Sequence, residues 1–91
     1  MIREHEVIEQ IEEEPNGRPF NWVSELLTHL GAPDPLLVLQ QMWRAGYLTL
    51  VDGSGQELKP WQCEQIWRGQ IEAHTTQLLA TPLGSKWVHG S

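Results

Sequence analysis

Asp34-Pro35-Leu36-Leu37-Val38-Leu39-Gln40-Gln41-Met42-Trp43-Arg44-Ala45-Gly46-Tyr47-Leu48-Thr49-Leu50-Val51 reads as one helix and one strand written end to end. Asp34 is a residue that caps helix N-termini, and Pro35 suits the first helical position, where its missing N–H goes unused. Leu36, Leu39 and Met42 recur every three residues, and Gly46 stands where a helix hands over to a left-handed turn. From Tyr47 the composition changes to β-branched, aromatic and apolar residues, so the spacing predicts a helix over 34–45 and a strand over 47–51. Asp52-Gly53-Ser54-Gly55 is turn chemistry, and residues 56–59 are expected to return as a hairpin.

Working outward towards the N-terminus, Gly31-Ala32-Pro33 separates this helix from an earlier one. Asn21 is its expected cap, and Trp22, Val23, Leu26, Leu27 and Leu30 are its apolar face. Pro15-Asn16-Gly17 breaks the chain before that. Residues 3–13 form an amphipathic first helix, with Val7, Ile8 and Ile11 on one side and glutamates on the other. Towards the C-terminus, Pro60 forbids a central strand, and Cys63, Ile66, Trp67 and Ile71 predict a fourth helix over 61–73. Residues 76–80 have strand character, and Thr81-Pro82 is another cap and first-position pair leading to Leu83, Trp87 and Val88. The expected core comprises Leu26, Leu30, Leu36, Leu39, Met42 and Leu48.

A chain of 91 residues supports one domain. Hydrophobic residues make up 40% of it, yet no apolar run reaches the roughly 20 residues that span a bilayer. The first residues carry acids where an export signal carries bases, so a cytoplasmic location is expected. Cys63 is the only cysteine, which excludes an intramolecular disulfide. The net charge of −6 is unevenly spread: six glutamates face Arg3 alone over residues 1–14, while five cations nearly balance six acids in the rest. No basic stripe of the kind that neutralises phosphates is present.

The stretch Leu39-Gln40-Gln41-Met42-Trp43-Arg44-Ala45-Gly46-Tyr47-Leu48 resembles the end of the recognition helix in small winged-helix transcription regulators. Leu78-Leu79-Ala80-Thr81-Pro82-Leu83-Gly84-Ser85-Lys86-Trp87 is similar to the strand-to-helix corner that closes their wing. The order of elements agrees, giving a mainly α fold with a small β-hairpin or sheet, winged helix-turn-helix-like, and an extra helix after the wing turn. The resemblance implies a third helix that reads a major groove. Gln40 and Gln41 are the adenine-reading side chains on it, Arg44 suits guanine or phosphate, and Lys59 and Arg68 are the nearby cations of a DNA-binding alternative. The superfamily also pairs through terminal elements, and the apolar edge Ile2, Ile8 and Ile11 makes a homodimer the further expectation.

The residue chemistry favours a protein partner over DNA. Leu37 and Val38 fall on the face that would read bases, and they offer only methyl groups. With Gln41, Trp43 and Arg44 they form the expected partner-binding surface. Five tryptophans suit either a core or an aromatic anchor; Trp22, Trp61, Trp67 and Trp87 are assigned to packing, and Trp43 is left between the two roles. His5, His29, His74, His89 and Cys63 show no metal-ligand or nucleophile spacing, and Glu12-Glu13-Glu14 reads as a solvated helix face. No cofactor, metal or catalytic residue is therefore expected, and the chain is read as a non-enzymatic binding module.

Overall fold

The computed structural model describes residues 3–70 and 75–90. In chain order it consists of α1 (Arg3–Glu12), β1 (Arg18–Pro19), α2 (Phe20–His29), α3 (Pro35–Arg44), β2 (Leu48–Val51), α4 (Pro60–Trp67), β3 (Gln77–Ala80) and α5 (Pro82–His89). The strands form one antiparallel sheet in the order β1-β3-β2, with Leu50 opposite Leu78 and Arg18 opposite that same Leu78 on its other side. Helices and a small sheet are thus the architecture, as the chain's patterning predicts. None of the described helices is long and apolar enough to cross a membrane.

The local capping chemistry is what the residue types dictate. Asp34 Oδ1 accepts from the Leu37 N–H at 3.2 Å, satisfying one of the donors that a helix start leaves without a partner. Thr81 does the same for α5 through the Gly84 N–H at 3.0 Å. Gly46 ends α3 with φ +84°, a backbone conformation that side chains disfavour.

Three elements differ from expectation. The strand β1 was not expected, and it changes the start of α2: the Phe20 N–H bonds the Thr76 carbonyl at 2.9 Å, so the helix opens at Phe20 without Asn21 as a cap. Second, the return of β2 through residues 56–59 is short, a bridge between Val51 and Glu57 held by the Asp52 N–H on the Gln56 carbonyl at 2.8 Å and the Leu58 N–H on the Leu50 carbonyl at 2.9 Å. Pro60 then starts α4, and the true partner of β2 is β3. Third, α4 ends at Trp67 with Gly69 at φ +73°, shorter than the expected 61–73; residues 71–73 lie outside the described residues.

The core lies where α1, α2, α3 and α4 close over the sheet. Val7, Ile8, Ile11, Val23, Leu27, Leu39, Leu48, Leu50 and Leu78 are buried, as are Phe20, Met42, Cys63, Ile66 and Trp67. Each fully covered leucine contributes roughly 1.5–3 kcal/mol of transfer free energy. Of the expected core, Leu39, Met42 and Leu48 are buried, while Leu26 and Leu36 pack against its edge. Leu30 is 37% exposed, because α2 stops at His29 and Leu30 falls in the turn that follows. The proposed dimer edge is corrected too: Ile8 and Ile11 face the core and offer nothing to a second copy, and Ile2 lies outside the described residues.

Candidate functional site

The outward side of α3 is set by its own core stripe. With Leu39 and Met42 directed inward, positions four and seven apart on the other side point to solvent, and these are Leu37, Gln41 and Arg44. Leu37 is 46% exposed, a large apolar side chain left in water at the N-terminal turn. Gln40 is partly covered beside this stripe. Val38 is not part of it. Only 8% exposed, it stands one helical turn before Met42 and belongs to the core. Leu37 and Val38 are neighbours in sequence but about 100° apart around the helix, and packing separates them.

Trp43 is half-buried and acts mainly as packing. Its ring lies 5.8 Å from that of Trp67, which in turn lies 5.7 Å from Phe20, a chain of three rings that seats α4 on α3 and α2. Two other tryptophans depart from the core assignment. Trp22 is 37% exposed, with the Arg18 guanidinium 4.3 Å over its ring. Its slot in the core is taken by Phe20, which the helix presents because it begins earlier than the Asn21 cap would allow. Trp61, in the first turn of α4, is 59% exposed.

The cations of the DNA-reading alternative are not assembled into one patch. Arg44 meets Glu64 of α4 at 3.8 Å, so a carboxylate sits beside the only cation of α3. Lys59 and Arg68 are both exposed but flank opposite ends of α4, about 13 Å apart by helical rise, with Glu64 between them. Lys59 spends its backbone N–H on Gln62 Oε1 at 2.9 Å, starting that helix. At the turn after β2, Asp52 Oδ1 accepts from the Ser54 hydroxyl at 2.7 Å and the Ser54 and Gln56 N–H groups at 2.9 and 3.0 Å. These bonds, that of Ser54 first, hold the Asp52 carboxyl below its ordinary value, and the tip stays anionic where a phosphate would approach.

Next to the α3 stripe lies a slot of about 180 Å³ lined by Glu4, Val38, Gln41, Met42, Tyr47 and Trp87. Its far wall is built by α5. Tyr47 and Trp87 stack at 4.2 Å with their planes 3° apart, and the His5 ring meets Trp87 nearly perpendicularly at 4.2 Å. Thr81 pins α5 in place by donating its hydroxyl to the Gly46 carbonyl, while its N–H bonds the Tyr47 carbonyl at 3.1 Å. Gly84 allows the close approach: a Cβ there would fall 2.0 Å from the Tyr47 carbonyl oxygen. Trp87 belongs to the apolar group that follows Thr81-Pro82 in the sequence, but its meeting with Tyr47 depends on tertiary docking. Leu83 of that group is exposed.

The remaining chemistry-bearing side chains serve packing and surface contacts. Cys63 is buried, and desolvation, then the nearby charge of Glu57, pushes its thiol above the ordinary value, opposite to what a nucleophile needs. No group of three or more His, Cys, Asp or Glu side chains with metal-binding placement occurs among the described residues, and His74 lies outside them. Glu12 ties α1 to α5, accepting from the Ser85 hydroxyl at 2.6 Å and meeting His89 Nε2 at 3.0 Å. The Ser85 bond, followed by smaller contributions from His89, lowers the Glu12 pKa. Its folded value being depressed below the ordinary 4.5, the stabilisation is present above that value and is lost as pH falls through the folded one. Urea midpoints measured from pH 6 to pH 3 should therefore fall less steeply for Glu12→Gln than for the wild type.

A scan against family models, a search of curated proteins and a search of solved structures each return no match to this chain.

Proposed function

We propose that the chain is a winged-helix-like binding module that acts through protein contacts made by the outward face of α3. The element order and the sheet order β1-β3-β2 are compatible with that fold, with α4 inserted between the wing strands. The observation that carries the functional reading is the exposure of Leu37 on a face whose one arginine, two turns further along α3, meets Glu64. An apolar side chain in water is inexpensive to desolvate and anchors a partner, whereas one shared cation supplies little phosphate attraction. Gln41 and Arg44 complete the surface; Val38 and Trp43 support it from behind.

The alternative is a DNA-binding regulator that reads bases with Gln40, Gln41 and Arg44, and the exposure of Gln41 and Arg44 is what favours it. One experiment separates the two. A photo-crosslinking amino acid at position 37, in extract of the native cell, should yield a protein adduct that survives nuclease treatment. Leu37→Asp should weaken the recovered partner by at least about thirtyfold, the effect of losing an interface anchor. Its fold should persist within about 0.5 kcal/mol, because the position is exposed and an acid in a first helical turn suits the helix dipole. Specific nanomolar binding to genomic fragments at physiological salt, lost on Gln41→Ala and Arg44→Ala, would overturn the protein-contact reading.

A further inference from the structure

The outward face of α3 does not end at Gln41. Beyond it the surface drops into the slot bounded by Glu4, Val38, Met42, Tyr47 and Trp87. Its walls are mainly apolar and come from α1, α3, the residue before β2, and α5, so four stretches distant in sequence converge on it. At about 180 Å³ the slot is below the size of sites for drug-like ligands, about 300–1,000 Å³, and matches a space that holds one ring or one branched side chain. The stacking of Tyr47 on Trp87, backed by His5, fixes one wall in advance, which lowers the ordering cost of binding.

Charge narrows the occupant. Glu4 is the one ionised group of the lining, and its ion partner among the described residues is the adjacent Arg3 at 3.4 Å. The same helix carries Glu6 and Glu9, and the chain as a whole bears −6. An approaching acidic segment would be repelled and a basic one attracted. We infer that the slot is the anchor pocket of the interface proposed above: it takes one leucine- or phenylalanine-sized side chain from a short basic segment of the partner, with a lysine or arginine of that segment at Glu4 and its chain running over Gln41 towards Leu37. This rests on the protein-contact reading and gives it a binding mode, an apolar anchor with a neighbouring cation.

The probe is a random peptide library displayed on phage and selected on the full chain. Enriched peptides should share one Leu, Met or Phe with a Lys or Arg within about four residues. Gln41→Trp, which sets an indole over the mouth of the slot from an exposed position, should weaken them at least about tenfold, and Glu4→Lys should weaken them about threefold or more. The side-chain protons of the bound anchor residue should give nuclear Overhauser effects to Trp87. Enrichment of acidic peptides, no enrichment at all, or undiminished binding to Gln41→Trp would each overturn the inference. If Gln41→Trp does not fold, Glu4→Lys decides, and unchanged affinity there overturns it. Peptides weakened by Leu37→Asp but not by Gln41→Trp would remove the slot and leave the protein-contact reading standing. Failure to enrich peptides together with sequence-specific DNA binding would remove both.

Discussion

Leu39→Ala is expected to lower the unfolding free energy by about 2–5 kcal/mol, enough to remove a large share of the roughly 5–15 kcal/mol that a domain possesses. Leu39 has no exposed surface and lies in the cluster that joins α1, α2, α3 and the sheet. Removing its isobutyl group loses its transfer free energy and leaves a cavity walled by elements that cannot all move inward together. Leu37→Ala, two positions away, should cost much less, about 0.5 kcal/mol, because roughly half of that side chain already faces water. Urea denaturation of the two variants reads the difference directly. Equal midpoints would mean that the inward and outward faces of α3 have been exchanged, and the proposed binding surface would go with them.

Gly17→Ala should cost roughly 3 kcal/mol, for two separable reasons. The residue has φ +78°, where a side chain strains the backbone by about 1–2 kcal/mol. A Cβ there would also fall 2.1 Å from the Leu78 carbonyl oxygen and 2.8 Å from a Leu79 methyl, so β1 would be pushed off β3. Gly31 supplies the control, since it has φ +88° with nothing within 4 Å of a Cβ. Gly31→Ala should show the conformational cost alone. If thermal or urea unfolding gives both variants the same loss, the close approach of Gly17 to β3 is not as described.

What was legible in the residues was the chemistry that acts over a few positions. Asp34-Pro35 and Thr81-Pro82 announced helix starts because the cap and the backbone N–H that donates to it lie within one turn, and Gly46 announced an end on equally local chemistry. β1 was invisible: two residues carry no periodicity, and Arg18-Pro19 is a strand only because β3 lies beside it. Phe20 went unassigned for a related reason, since its place in the core follows from the bond between its N–H and Thr76, 56 positions along the chain. The candidate site divides in the same way. Periodicity gave α3 an inward stripe of Leu39 and Met42, yet it did not say how far round the helix the cover extends. That is decided by the core that closes over Val38 but stops short of Leu37. The slot was beyond reach because its lining is gathered from four stretches of chain.

The detour through α4 has a kinetic meaning. β2 meets residues 56–58 across a turn of only a few residues, a contact that forms within microseconds and at small entropic cost. Its neighbour in the sheet, β3, begins at Gln77, so 25 residues must be looped out first. By the logarithmic dependence of loop closure this adds about 1.6 kcal/mol to the search. The α4 helix offsets part of that delay: once Trp67 has seated on Trp43 and Glu64 has found Arg44, the two ends of the loop are held near one another. A partner that levers α4 away from α3 would also pull on the segment of chain that joins β2 to β3.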